Sequence, residues 1–209
     1  MLIRILTLLA IITAAIQIRA EYLGPRLHVY IFKPLTMIFI LVIAFQGQAD
    51  PVYRVAILAG LGCSLVGDIL LMLPDHFVAG LIAFLVAHLF YIAAFALGIS
   101  LGGSWWSLAI LAIYGLAVYR FLAPALGALK VPVIAYIVVI LVMTWQAWAR
   151  WSHSGQSGAL LAFVGAILFV ISDTILAANR FRGPYRPARA LNLITYFAAQ
   201  WLIASSMGS

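Results

Sequence analysis

Two of the five acidic residues in this 209-residue chain stand inside apolar runs. Asp68 lies in "VGDILLMLP" and Asp173 in "ISDTILAANRF", 105 residues apart and in similar local settings. A carboxylate among hydrocarbon is costly unless it faces protein or a water-filled cavity, so such residues mark functional interiors. Gly60, Ser64 and Asp68 recur at i, i+4, i+8, with Gly67 beside them. Gly165 stands eight residues before Asp173, with Ala162 and Ala166 nearby. Small residues at these spacings let helix backbones approach closely, which turns both carboxyls toward a shared interior. Two carboxyls in one low-dielectric cavity do not easily both ionise, so one keeps its proton while the other is an anion. That pair equips a site for general acid–base hydrolysis, and equally for proton-coupled transport of a lipid or small molecule. Residue types and spacing leave both open, together with a non-catalytic membrane scaffold.

Other polar side chains within apolar runs extend the same interior. His88 and Tyr91 are three residues apart, Tyr136 follows Pro132, and Ser172 adjoins Asp173. Asn192, Tyr196 and Gln200 form an i, i+4, i+8 stripe. Lys33, beside Pro34, and Asn179 and Arg180, just beyond the second aspartate's run, sit at the same expected boundary. Basic groups there suit a phosphate head group, and serve as well to anchor topology. The four histidines (His28, His76, His88 and His153) are dispersed, with no paired ligand spacing, so neither a metal nor another cofactor is expected. The single Cys63 excludes an internal disulfide, and no GxSxG elbow is present.

The elements that must position these residues are transmembrane helices. The chain is 67% hydrophobic and 8% charged, against about 45–50% and about 25% in soluble domains. The basic residues behind its net charge of +7 sit singly or in small groups between apolar runs, which argues against nucleic acid as a partner. Runs of the length needed to span a bilayer fall at roughly 2–18, 31–47, 55–73, 78–98, 104–122, 131–150, 157–178 and 188–206. The breaks, such as "PDH" and "GGS", are short, so the expected fold is all-α. It is a polytopic bundle of about eight helices, one integral membrane domain over 1–209, with consecutive helices as antiparallel neighbours. The N-terminal run resembles a signal peptide in outline, but its length favours an uncleaved first helix. Arg19, Arg26, Lys33, Arg120, Lys130, Arg180, Arg182, Arg186 and Arg189 fall on one side, and only Arg4, Arg54 and Arg150 on the other. The richer side is expected in the cytoplasm, both termini outside, and the aspartate end of the bundle toward the cytoplasm of a bacterial inner membrane. Tyr91 and Tyr196 repeat the 105-residue spacing, which hints at a duplicated four-helix unit. Each aspartate lies about five residues before its helix end, hence at equal depth.

At these residues the sequence resembles the YhhN-like lysoplasmalogenase family. "GDILLMLP", "GLIAFLVAHLFYIAAF", "ISDTILAANRF" and "NLITYFAAQWL" carry the likeness, supported by "FKPLTM" and "VPVIAYIVVILVM". The resemblance implies a membrane hydrolase acting on a lysophospholipid, the lysoplasmalogen, at its vinyl-ether bond. The products would be a fatty aldehyde and glycerophosphocholine or glycerophosphoethanolamine. Asp68 and Asp173 would then be the acid–base pair, and the polar residues named above the substrate-binding set. A vinyl ether hydrolyses by protonation at carbon and capture of the oxocarbenium ion by water, which requires neither metal nor covalent nucleophile.

Overall fold

A computed structural model of the chain describes residues 1–99 and 105–208; the "GGS" break and the start of the fifth expected span lie outside the described residues. Among the described residues there are eight α-helices and no strand. They are α1 (Leu2–Leu23), α2 (Arg26–Phe45), α3 (Pro51–Met72), α4 (Phe77–Ala96), α5 (Trp105–Leu122), α6 (Lys130–Ser154), α7 (Ser157–Ala177) and α8 (Ala188–Ser205). Several run past their apolar stretch because helix continues cheaply into the boundary, where water satisfies the terminal groups. Seven are long and apolar enough to cross a membrane. The eighth, α8, is not among them, since Arg189, Asn192, Tyr196 and Gln200 interrupt its apolar residues. The molecule is an integral, multi-pass membrane protein, and large apolar side chains such as Trp105, Ile113 and Val131 lie exposed on its flanks.

Local chemistry fixes the helix ends. Asp50 caps α3, its Oδ1 accepting from the backbone N–H of Val52 (2.9 Å) and of Tyr53 (3.2 Å), with Pro51 at the first helical position. α6 stops at Gly155, whose φ of 64° closes the last turn in the left-handed region. After α7 the backbone widens into one turn of π-helix, Ala178–Arg182.

Packing departs from simple sequential order in one place. α1 lies along α2, α3 along α4 and α7 along α8, but α4 packs on α6, while α5 rests on the outside of α6. The expectation that every helix pairs with the next is therefore corrected at α4–α5. The cause is composition: α5 buries just Ser107, Gly115 and Leu122 and is otherwise apolar on all sides, so lipid solvates it as well as protein does. α8 is instead pulled inward, against α1, α2, α3 and α7.

The small-residue stripes work as the spacing implied. A Cβ on Gly67 would meet the Phe84 ring at 2.7 Å, and one on Gly165 would meet Ile203 at 2.8 Å. At Gly60 it would overlap the Tyr91 ring, whose hydroxyl donates to Gln200 Oε1 at 2.8 Å. Gly60→Ala is accordingly expected to destabilise the protein by about 1–3 kcal/mol through overpacking. The measurement is the thermal unfolding midpoint in detergent, and an unchanged midpoint would contradict the α3–α4 packing described.

Candidate active site

Asp68 and Asp173 each stand four residues before the last residue of their helices, α3 and α7. Their surroundings differ. Asp68 is 1% exposed and fully engaged: Lys33 Nζ lies 3.0 Å from its Oδ1, and the Tyr196 hydroxyl donates to its Oδ2 at 2.6 Å. Lys33, on α2, thus points into the bundle as the counter-ion of Asp68 rather than outward toward a head group. Its ammonium and the carboxylate compensate each other, which is the condition for holding either charge at this depth.

Asp173 is half-buried, and among the described residues no cation lies within ion-pair distance of it. Its Oδ2 accepts from the Tyr136 hydroxyl at 2.5 Å. Both residues line a cavity of about 60 Å³ between α4, α5, α6 and α7, enough for a few water molecules. Asp68 is not in its wall. The rest of the wall is apolar apart from Tyr114 and Thr174, whose hydroxyls bond each other at 2.7 Å. A second crevice of about 400 Å³, between α1, α2 and α8, has no ionisable group in its lining.

The carboxyls are linked through aromatic rings. His88, buried on α4, packs edge-on against Tyr136 (5.3 Å between centroids) and against Phe169 (4.6 Å). Phe169 meets the Tyr196 ring at 5.6 Å. The ring series Tyr136–His88–Phe169–Tyr196 thus runs from the hydrogen-bond partner of one acid to that of the other.

The remaining expected site residues fall into three groups. Tyr91 and Gln200 bond each other deeper in the bundle, with Ser64 3.5 Å from the Tyr91 hydroxyl. Ser172 and Asn192 staple α7 to α8: the Asn192 amide donates to the Ser172 carbonyl (2.9 Å) and Oγ (3.0 Å), and Ser172 Oγ donates to the Asn192 carbonyl (3.2 Å). Asn179 Oδ1 accepts from the Tyr185 N–H at 3.3 Å, fastening the loop after the π-turn, and the Arg180 guanidinium lies 4.7 Å over the Phe77 ring. Tyr114, Thr174, Phe77 and Phe181 also line the Asp173 cavity and were not among the expected residues. Phe181 had a signal, standing eight residues after Asp173 on the same helical face, but Tyr114 sits in a run with no polar periodicity.

Residues 28–207 match the YhhN family. The chain is 32% identical to "Uncharacterized membrane protein YhhN" of Escherichia coli O6:H1, over 94% of this chain and 95% of that one. It is 38% identical to the Bos taurus lysoplasmalogenase TMEM86A, over 72% of this chain and 64% of that one. It is 35% identical to the Sus scrofa lysoplasmalogenase TMEM86B, over 84% and 73% respectively. No solved structure matches significantly. These matches place the chain in the YhhN family, and with lysoplasmalogenases among its relatives it is a membrane hydrolase.

Proposed function

We propose that the protein hydrolyses the vinyl-ether bond of lysoplasmalogens, with Asp173 as proton donor and Asp68 as the partner anion. The observation that carries this reading is the asymmetry of the two carboxyls: Asp68 has a cation at 3.0 Å and is sealed, while Asp173 has none among the described residues and lines a cavity. An uncompensated carboxyl at this depth is most stable with its proton on, and Tyr136 occupies one of its oxygens, leaving the other to carry that proton.

The chemistry follows from these positions. Asp173 gives its proton to the outer vinyl carbon, and the ether oxygen and inner carbon share the positive charge of an oxocarbenium ion. The new Asp173 carboxylate, with the field of the Asp68 anion behind it, stabilises that cation. Water then adds to the inner carbon and returns one proton to Asp173. The hemiacetal collapses to a fatty aldehyde and the glycerol hydroxyl of the head-group product, consuming one water in all. Apolar walls on α4–α7 suit the alkenyl chain.

One further feature supports hydrolysis over transport. At the end of the bundle remote from the aspartates the described residues are cross-linked: the Tyr53 and Ser206 hydroxyls lie 2.8 Å apart, Arg150 stacks 4.6 Å over the Tyr53 ring, and its Nη1 donates to the Leu97 carbonyl at 2.7 Å. The distribution of Lys and Arg supports placing the aspartate end at the cytoplasmic surface.

The test is release of fatty aldehyde from 1-alkenyl lysophospholipid by the purified protein in detergent. Lipid flux across proteoliposomes without aldehyde would replace this reading with the transporter. Tyr136→Phe removes the hydrogen bond that orients Asp173, and is expected to lower kcat about tenfold or more while costing about 1–3 kcal/mol of stability. A variant with wild-type kcat would remove Tyr136 from the mechanism.

A further inference from the structure

The π-turn after α7 has a position that packing alone does not require. Its widened backbone advances each residue through a smaller angle than an α-helix does, so Phe181 remains on the face of Asp173 and lines the cavity. Arg180 and Arg182 are thereby thrown to the two flanks of Phe181. Each guanidinium is seated on an aromatic ring, and one of the two rings, Phe77, lines the cavity. Arg180 lies 4.7 Å over Phe77, at the start of α4, and Arg182 lies 5.0 Å over Phe121, at the end of α5. Phe77 in turn meets Phe181 edge-on at 5.9 Å.

Both arginines are exposed, and among the described residues neither is in an ion pair. A ring face orients a guanidinium without consuming its N–H donors, which stay in the plane and free for an oxyanion. A helical Cα–Cβ bond tilts toward the N-terminus, which for these two arginines is the direction of Asp173. Arg180 stands seven residues beyond it, ~10 Å along the axis at the α-helical rise. In a lysophospholipid the phosphate and the vinyl ether are likewise separated by the short glycerol backbone.

We infer that Arg180 and Arg182 form a two-armed phosphate clamp at the mouth of the Asp173 cavity, which makes the phosphodiester, rather than choline or ethanolamine, the recognised part of the head group. This rests on the lysoplasmalogen reading for the identity of the lipid. Two planar guanidinium forks on one phosphate would give it charge-assisted, bidentate bonds.

The experiment pairs turnover with binding. Turnover compares 1-alkenyl-glycerophosphocholine, 1-alkenyl-glycerophosphoethanolamine and the phosphate-free 1-alkenylglycerol, in wild type and in Arg180→Lys, Arg182→Lys and the double Arg→Gln variant. Wild type is expected to prefer both phosphodiesters over the alkenylglycerol by about 10²-fold in kcat/KM, with little difference between the two amines. The Lys variants keep the topological charge but lose the fork, so KM for the phosphodiesters rises about tenfold while kcat and alkenylglycerol turnover hold. Equal turnover with and without phosphate in wild type overturns the clamp, as does loss of alkenylglycerol turnover in the variants equal to that for the phosphodiesters. Binding of the non-hydrolysable 1-alkyl-glycerophosphocholine, followed by tryptophan fluorescence, separates the two readings. Arginine-dependent binding without any aldehyde release would keep the clamp and remove the hydrolase, and arginine-independent binding would overturn the clamp.

Discussion

Asp173→Asn is expected to lower aldehyde release by about 10²–10⁴-fold, the usual contribution of a positioned general acid, with little change in thermal stability. The amide is nearly the size of the carboxyl and still accepts from Tyr136 through its oxygen, so the α6–α7 contact survives. What is lost is a proton that can be given to carbon and recovered from water. Because no cation compensates Asp173 among the described residues, the substitution orphans no buried charge. Binding of the 1-alkyl analogue should persist at near wild-type affinity, which separates loss of chemistry from loss of the site. Retained aldehyde release in a folded Asp173→Asn variant would sink the mechanism outright.

That sharp contrast between the acids was only half legible in the sequence. Their place near the ends of α3 and α7 was, since residue count along a helix of fixed rise converts directly into position. The small-residue stripes also told truly where helices approach, at Gly60 and Gly67 on α3 and Gly165 on α7. What spacing could not show was the partner of each carboxyl, because partners come from other helices whose rotation depends on packing. The 105-residue repeat suggests that Tyr91 should stand to Asp173 as Tyr196 stands to Asp68. Tyr91 instead bonds Gln200, and Tyr136 on α6 serves Asp173. Lys33 likewise read as a boundary residue from its neighbours in sequence, yet it is 13% exposed and turned inward. A long flexible stem lets an ammonium go either to lipid phosphate or to a buried anion, and only the position of Asp68 decides. The placement of α5 outside α6 escaped for the opposite reason. A helix apolar on every side carries no periodicity to say which neighbour it meets.

Asp68→Asn is expected to behave differently from its counterpart, lowering both stability and turnover. The substitution leaves Lys33 in the bundle with no counter-charge, and breaking one partner of a buried ion pair typically costs about 3–5 kcal/mol. The unfolding midpoint should fall by an amount that Asp173→Asn does not approach. Lost activity in this variant alone would therefore be ambiguous between a failed fold and a missing anion. The double variant Lys33→Met, Asp68→Asn resolves it. Replacing both members of a buried pair by neutral groups of similar size is often neutral for stability, so the midpoint should return close to wild type. If the Asp68 anion acts on the reaction through its field, the double variant stays slow, because the charge behind Asp173 is still absent. If Asp68 is only an anchor for α2 and α8, turnover returns with the fold. Restored stability with persistently low turnover is the expected result, and it would make Asp68 a positioning charge for chemistry performed at Asp173.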